Sequence, residues 1–582
     1  MAILGVDVGG TFTDAVLLAD GQVRTAKVPT AERQEESVLA AVRAVGAGSA
    51  AEGVERFAHG TTVATNALLE RRGARTAYVG NAGFEHLLHL RRQTRAHLYR
   101  LCAAHPEPLV PLERCHGVRG RLGPDGELEP LDLATLPDLG DAEAVAVCLL
   151  FAFRDDSHER AVADELRRRH PGVHVVASHE VAPEFREYER ASTTAADAYL
   201  APVAARYLRA LAAGAREAGL PEPLVMLSSG GVATVDEAAA HPATILVSGP
   251  AGGVVGAGIV ARRAGFEHAI AFDMGGTSTD VCLLPGGRAE RVAGHDVGGF
   301  PIRLATVDLH TVGAGGGSLV RRDAGGAIRV GPESAGAHPG PACYGAGGGA
   351  TVTDANLLLG RLPAELPGGL VLDRDAAAAA MGDIDPAAAI EVVNAEMLRA
   401  LRVVSVERGH DPRDFALVAF GGAGPLHACA LAEELGIEAV LVPEAAGVLS
   451  ALGLVASDER RDRVVSHVRP LAEVADLPAD GEADLRYRGQ SFELTVPLQP
   501  DLAAAFHRAH EERYGYADPA RAIELVAVRT AEVVPGPDVS FAARSRDQVT
   551  GPVLIGLPGA TCWVPAGWHG ETNADGTLVL RR

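Results

Sequence analysis

The octet Asp7-Val8-Gly9-Gly10-Thr11-Phe12-Thr13-Asp14 recurs as Asp273-Met274-Gly275-Gly276-Thr277-Ser278-Thr279-Asp280, with only its second and sixth positions changed. Each copy follows a short apolar run, Ile3-Leu4-Gly5-Val6 and Ala269-Ile270-Ala271-Phe272. Apolar runs of this length, closed by glycines, read as buried strands that end on a carboxylate and turn sharply. The doubling restricts the chain to two large α/β lobes that each present one such turn, an internal duplication with long insertions.

These residue types suit a phosphate clamp. Paired glycines are expected to turn with positive φ and to bring bare N–H groups against phosphate oxygens. Gly9, Gly10, Gly275 and Gly276 would supply that main chain, and Thr11, Thr13, Thr277 and Thr279 would add hydroxyl donors. Asp7 and Asp273 could hold Mg²⁺ directly or through water, while Asp14 and Asp280 could orient an attacking group or tune the metal's water shell. Asp-x-Gly-Gly-Thr also suits a tight hairpin, with Ala15 to Leu18 as the returning strand, and the hairpin is then the scaffold of the clamp.

With 582 residues, the chain has room for three or four units with cores of their own. Its formal charge of −22 argues against a nucleic-acid or anionic-membrane surface, because the long-range field repels polyphosphate. ATP can still bind locally through Mg²⁺ and backbone N–H groups. The seven cysteines have no C-x-x-C pairing and an odd count, which fits neither a disulfide framework nor structural zinc. No signal-peptide pattern opens the sequence, and no apolar run reaches the length of a membrane span. The expectation is a cytoplasmic protein.

Along the chain, Glu32 to Val45 has helical spacing, and Ala74 to Gly80 and Ala144 to Phe153 read as strands. Ser157 to Arg169 reads as a helix with a Ser cap, and Glu187 to Ala215 as a long helix that links the lobes. The glycine-rich block from Gly313 to Gly349 predicts neither helix nor strand. It reads as ligand-approaching loops in preference to a flexible linker. Phe415 to Phe420 is a strand, followed by Gly421-Gly422-Ala423-Gly424 and a helix through Leu435; Gly421, Gly422 and Gly424 are the candidate nucleoside contacts. From about Asp458 to Ala483 the pattern is charged and contains proline. Asp484 to Leu498 then alternates as strands do, His507 to Tyr514 is helical, and the tail from Gly551 reads as a small β unit.

Two phosphate octets followed by Gly-Gly-x-Gly resemble the motifs of the actin, sugar-kinase and heat-shock-chaperone ATPase superfamily. Further blocks narrow the likeness: Phe57 to Leu68 (FAHGTTVATNAL), Tyr188-Glu189-Arg190, Val247 to Gly253 (VSGPAGG), Asp308 to Ser318 (DLHTVGAGGGS), His338 to Gly345 (HPGPACYG), Arg486 to Gln490 and Arg513 to Tyr516. Together they resemble the hydantoinase A / 5-oxoprolinase family over nearly the whole chain. The resemblance implies an α/β fold of two RNase H-like lobes with a C-terminal β-rich appendage, divided as 1–190, 191–457 and 458–582. It implies ATP and Mg²⁺ as cofactors and a hydantoinase B-like subunit as partner in a hetero-oligomer. The activity implied is ATP-dependent opening of a cyclic amide or imide by phosphorylation of its carbonyl oxygen. The ATPase role in an acetone- or acetophenone-type carboxylase is the alternative. A small-molecule kinase and a non-catalytic chaperone or filament ATPase stay open on the nucleotide motifs alone, and the other blocks weigh against both. The chain departs from the family pattern in a short interval between Asp458 and Arg486 and in Ala346 after Tyr344-Gly345, where an arginine is common.

Other residues carry two readings each. His59, Thr61 and Thr62 could contact substrate or γ-phosphate, or merely cap the helix that follows. Asp308 and His310, two apart on a strand, could share a metal or substrate, or form a structural pair. Cys343 could be a nucleophile but has no local base. Arg91, Arg92 and Arg95 read as a solvated basic helix face, and Glu189 with Arg190 as an interlobe ion pair.

Overall fold

The computed structural model describes residues 2–10, 12–19, 22–46, 53–366, 369–539 and 547–582, so Thr11 of the first octet lies outside the described residues. In the first lobe, β1 (Ala2–Val8), β2 (Phe12–Ala19) and β3 (Gln22–Pro29) form an antiparallel meander. Beside β1 lie two parallel neighbours, β4 (Val54–Gly60) and then β5 (Leu224–Met226). The second lobe repeats the plan. β6 (Ala269–Met274), β7 (Thr279–Leu284) and β8 (His310–Val312) make the meander, and β9 (Ala416–Phe420) and β10 (Ala439–Pro443) are the parallel neighbours. Both sheets therefore run third, second, first, fourth, fifth strand, which is the RNase H-like order. The expected α/β fold of two such lobes is present.

The first strands are apolar on both faces because both are covered, as central strands of α/β sheets require. Leu4, Val6 and Val8 pack with Val38, Ala41 and Val42 of the helix Gln34–Ala44, while Ile3 on the other face meets Val455. A five-stranded sheet, containing Thr76–Asn81, Ala144–Val147 and His174–Ala177, is inserted between β4 and β5. The helix α1 (Glu187–Glu217) packs along this inserted sheet and the first lobe, and also against the hairpin His295–Val297 and Phe300–Ile302 that lies between β7 and β8, so it links the inserted unit to both octet-bearing lobes.

The lobes meet along two helices, α2 (Ser248–Arg263) and α3 (Leu449–Ala456). Their axes approach so closely that a Cβ on Gly453 would stand 1.8 Å from the Gly252 carbonyl oxygen, and one on Gly256 2.9 Å from that of Leu449. Gly5 of β1 fits against the same helix, its missing Cβ 2.2 Å from Ala451 O. The glycines of the Val247 to Gly253 block thus build the interlobe seam.

Several expectations are corrected. The strand expected over Ala144 to Phe153 ends at Val147, because the Leu149 N–H is taken by Glu159 and its carbonyl by Arg190. The Ser cap of the helix Ser157–Arg169 is not formed; Asp155 instead accepts the Ser157 N–H. Within Gly313 to Gly349 an antiparallel hairpin forms from Ser318–Arg322 and Ile328–Ser334. The charged interval after Asp458 is a twelve-residue strand, Glu459–Pro470. Sheet membership also crosses the expected divisions at 190 and 458. Leu224–Met226 and the strands between 459 and 534 extend the first sheet, while Thr577–Arg581, His569–Thr572 and Gln548–Thr550 extend the second. These additions move one edge of each sheet outward, to Leu494–Pro497 in the first and Gln548–Thr550 in the second.

Candidate functional site

Register places the repeated carboxylates. Asp7 lies directly across from Asp14 on the β1–β2 ladder, and Asp273 directly across from Asp280 on β6–β7. Each octet is thus a hairpin that sets its first and last residues side by side on one face. Gly9 N–H donates to Phe12 O at 2.9 Å and Gly275 N–H to Ser278 O at 3.1 Å, closing the two turns alike.

The two hairpins face each other across the seam. Burial, then Asp14 beside it, pushes the Asp7 carboxyl up to about 7; burial, then Asp280 and Asp7, pushes Asp273 up to about 8. Burial likewise raises Asp280 to about 6, against a 2.5 Å hydrogen bond from the Thr311 hydroxyl. Asp14 is raised by burial and drawn back by Lys27, whose Nζ lies 2.7 and 2.9 Å from its two oxygens. Such mutually raised carboxylates form a site with excess negative potential that a cation would relieve.

Space has been left beside both inner carboxylates. A Cβ on Gly60 would stand 2.4 Å from Asp7 Oδ1, and one on Gly421 2.3 Å from Asp273 Oδ1. Gly421 has φ of +78°, so that position is closed to a side chain twice over. Asp7 Oδ1 is buried and has no hydrogen-bond partner. Among the described residues no group of three His, Cys, Asp or Glu side chains could hold a metal. Two facing carboxylates with an orphaned oxygen fit a hard cation that takes its other ligands from water and phosphate.

The octet glycines differ from expectation: none of Gly9, Gly10, Gly275 and Gly276 has a positive φ. A Cβ at Gly10 or Gly276 would meet nothing within 4 Å, so packing does not require glycine there. The third turn is tied to the second octet, since the Ala423 N–H donates to Met274 O at 2.9 Å and α2's neighbour Phe420 precedes it. Gly422 is open apart from Gly559 O at 3.8 Å, and Gly424 begins the helix Gly424–Leu435.

Other expected contacts are engaged within the protein. Thr13 is buried and shares a 3.1 Å hydrogen bond with Thr30, and buried Thr279 donates to Ala314 O at 2.5 Å; Thr277 alone of the described octet threonines is exposed. His59 is wholly buried between Val6 O, 3.1 Å from Nδ1, and the Tyr207 hydroxyl, 2.8 Å from Nε2, and burial lowers it to about 4. Thr61 is buried and accepts the Val63 N–H, and Thr62 lies 3.4 Å from Asn66 Nδ2. These three organise the helix Val63–Leu69 and its packing. Asp308 forms a two-pronged ion pair with Arg408, leaving His310 without a shared ligand role. Cys343 is buried where Asp354 accepts its N–H, and burial pushes the thiol well above its ordinary range, the reverse of an activated nucleophile. Glu189 pairs with Arg92 at 2.6 Å, whereas Arg190 donates to the Glu184 and Leu149 carbonyls. The Gly313 to Ser318 loop packs on the second octet: Gly316 N–H donates to Gly275 O at 3.0 Å, and a Cβ on Gly315 would stand 2.7 Å from the Gly276 backbone.

Lys27 lies outside every motif, while Gly60 and Thr311 lie inside the Phe57 to Leu68 and Asp308 to Ser318 blocks without a role assigned to them there. Lys27 sits directly across from Asp14, and Thr311 directly across from Asp280, so counting the third strand of each meander would find both.

Comparison with known proteins finds relatives over nearly the whole chain. The hydantoinase/oxoprolinase family model matches residues 190–463, and the hydantoinase/oxoprolinase N-terminal region matches 3–170. The chain is 36% identical to caprolactamase subunit alpha of Pseudomonas jessenii over 90% of its own length and 85% of that protein. The crystal structure of the ATP-dependent caprolactamase from that organism superposes with a TM-score of 0.86 at 31% identity, covering 100% of this chain and 99% of that one. The chain is also 37% identical to 5-oxoprolinase 1 of Arabidopsis thaliana, over 69% of its length and 36% of the plant protein. It is 33% identical to the acetophenone carboxylase gamma subunit of Aromatoleum aromaticum, over 77% and 67% respectively. The chain belongs to the hydantoinase/oxoprolinase family.

Proposed function

We propose that this protein is the ATP-binding subunit of an ATP-dependent cyclic amidase, opening a hydantoin-, 5-oxoproline- or lactam-type ring. The observation that carries the reading is the facing pair Asp7 and Asp273, each beside a glycine that clears its carboxylate. ATP-dependent caprolactamase, a relative of matching length, supports the amide substrate class.

Asp7 and Asp273 would hold Mg²⁺, which when bound neutralises phosphate charge and orients the nucleotide. The exposed backbone at Gly10 and Gly276, with Thr277, would contact phosphate oxygens, on turns that the Gly9 and Gly275 N–H groups close. The turn Gly421 to Gly424 would receive the nucleoside. Asp14 and Asp280, half-buried beside the inner pair, would orient the attacking carbonyl oxygen or water. Positioning and charge neutralisation then supply most of the rate for phosphoryl transfer. Phosphorylation makes the amide carbon a better electrophile; water would add there, the C–N bond would break with the ring nitrogen leaving as a protonated amine, and a second water would hydrolyse the resulting acyl phosphate to carboxylate and phosphate.

A relative named as a subunit supports a second polypeptide, which we assign as hydantoinase B-like in a hetero-oligomer. No helix among the described residues is long and apolar enough to cross a membrane, and we place the enzyme in the cytoplasm. The test is ATP turnover by the reconstituted pair over hydantoin, 5-oxoproline and lactams. Turnover that required bicarbonate and a ketone would replace amide opening by carboxylation, and turnover unaffected by Asp7→Asn and Asp273→Asn would exclude the site.

A further inference from the structure

The duplication that builds the site is broken at one rung. In the first lobe the three strands of the meander carry Asp7, Asp14 and Lys27 in register; in the second they carry Asp273, Asp280 and Thr311. A cation stands where its counterpart is a hydroxyl. Lys27 Nζ binds both oxygens of Asp14 and also lies 3.5 Å from the Gly447 carbonyl oxygen, which belongs to the second lobe. One ammonium group therefore touches both sides of the seam. Its charge also bears on Asp7 and on Asp273 across the cleft.

The turn that Lys27 reaches is joined to the rest of the site. Gly421 N–H donates to Ala446 O at 2.9 Å, so Ala446 and Gly447 are tied to the third glycine turn. An open pocket borders the same turn, lined by Thr25, Leu452, Pro443, Ala445 and Pro558. Thr25 lies two residues from Lys27 on β3 and so shares its face. Lys27 is about one-third exposed, and its four-carbon stem lets the charge move several ångströms without backbone change.

We infer that Lys27 leaves Asp14 for the terminal phosphate of the bound nucleotide and, through its contact with the Gly447 turn, draws the two lobes together around it. The inference rests on the ATP reading of the site and deepens it. An incoming polyphosphate meets four carboxylates, and Lys27 is the group already placed among them that can offset its charge. The exchange is purely ionic: the ammonium keeps its proton, one ion pair breaks, another forms, and Asp14 is released as a free acceptor for the attacking group. Thr311 cannot make this exchange, so the two halves of the clamp act differently although their octets match.

The test is calorimetric titration of the full chain with ADP and with a non-hydrolysable ATP analogue, for wild type, Lys27→Met, Lys27→Arg and Asp14→Asn, with small-angle scattering of each complex. Lys27→Met should weaken the ATP analogue by about tenfold or more and ADP by less than about threefold, and should abolish the contraction that the analogue induces in the wild type. Lys27→Arg should restore most of both effects. Asp14→Asn should leave analogue binding as tight or tighter, since it frees the lysine; a purely structural ion pair would instead make it weaken binding as Lys27→Met does, which would overturn the inference. Equal binding of the analogue by Lys27→Met and wild type would also overturn it while leaving the ATP reading intact. Absence of nucleotide binding by the wild type would remove the ATP reading itself.

Discussion

Asp14 and Asp280 occupy the same place in two matching hairpins, yet Asp14 is held by the Lys27 ammonium at 2.7 Å and Asp280 by the neutral Thr311 hydroxyl at 2.5 Å. The cation holds Asp14 toward its ionised form, while Asp280, with only a hydroxyl donor, rises to about 6. Burial raises both outer carboxyls, but only Asp14 has a cation beside it to oppose that, so the two stand in different electrostatic surroundings.

Thr311→Val removes the donor that favours the ionised form of Asp280. The acidic limb of the pH–rate profile for ATP turnover should move upward by up to about one pH unit. An unchanged limb would mean that Asp280 does not titrate in the rate-limiting step.

Asp7→Asn and Asp273→Asn should each lower ATP turnover by about 100-fold or more, while stabilising the nucleotide-free protein at pH 8. Both carboxyls are raised in the fold above their unfolded value near 3.8, to about 7 and about 8. Between those limits the folded state holds protons that the unfolded state has lost, so stability declines as pH rises from 4 to 8. An amide has no such penalty, and the gain at pH 8 should be on the order of 1–2 kcal/mol by thermal or denaturant melts. Destabilisation at pH 8 would contradict the assigned burial.

The same shifts predict proton release. Holding a divalent cation requires both inner carboxylates ionised, so Mg²⁺–nucleotide affinity should increase from pH 6 to 8 and level off above. Titration in buffers of different ionisation enthalpy should register protons leaving near pH 7. A binding enthalpy independent of buffer would count against Asp7 and Asp273 as ligands.

Clearance can be separated from packing at the glycines. Gly10→Ala and Gly276→Ala place a methyl group in open space and should change stability by less than about 0.5 kcal/mol, yet weaken nucleotide binding wherever phosphate approaches the backbone. Gly453→Ala drives its methyl group against Gly252 O and should cost about 3 kcal/mol or more, read from melts of the nucleotide-free protein.

Much of this was legible in the chain itself. The doubled octet determined two like hairpins, because strand, turn and returning strand are local and the apolar runs on either side specify burial. It also determined that two carboxylates would lie side by side in each hairpin, since seven residues of spacing around a short turn make Asp7 and Asp14 cross-strand partners. The helix Gly424–Leu435 and the strand before it were equally local. Tertiary structure decided the rest. His59, Thr13 and Thr279 have the chemistry of ligands, and only long-range packing assigns their hydrogen bonds to Tyr207, Thr30 and Ala314. The raised carboxyls arise mainly because the packing of distant segments buries Asp7 and Asp273 at one seam, and α2 and α3 close that seam at Gly252 and Gly453, 201 residues apart. Lys27 carries no motif; its place follows from register across three strands and from the Gly447 turn of the other lobe, a contact that no local pattern encodes.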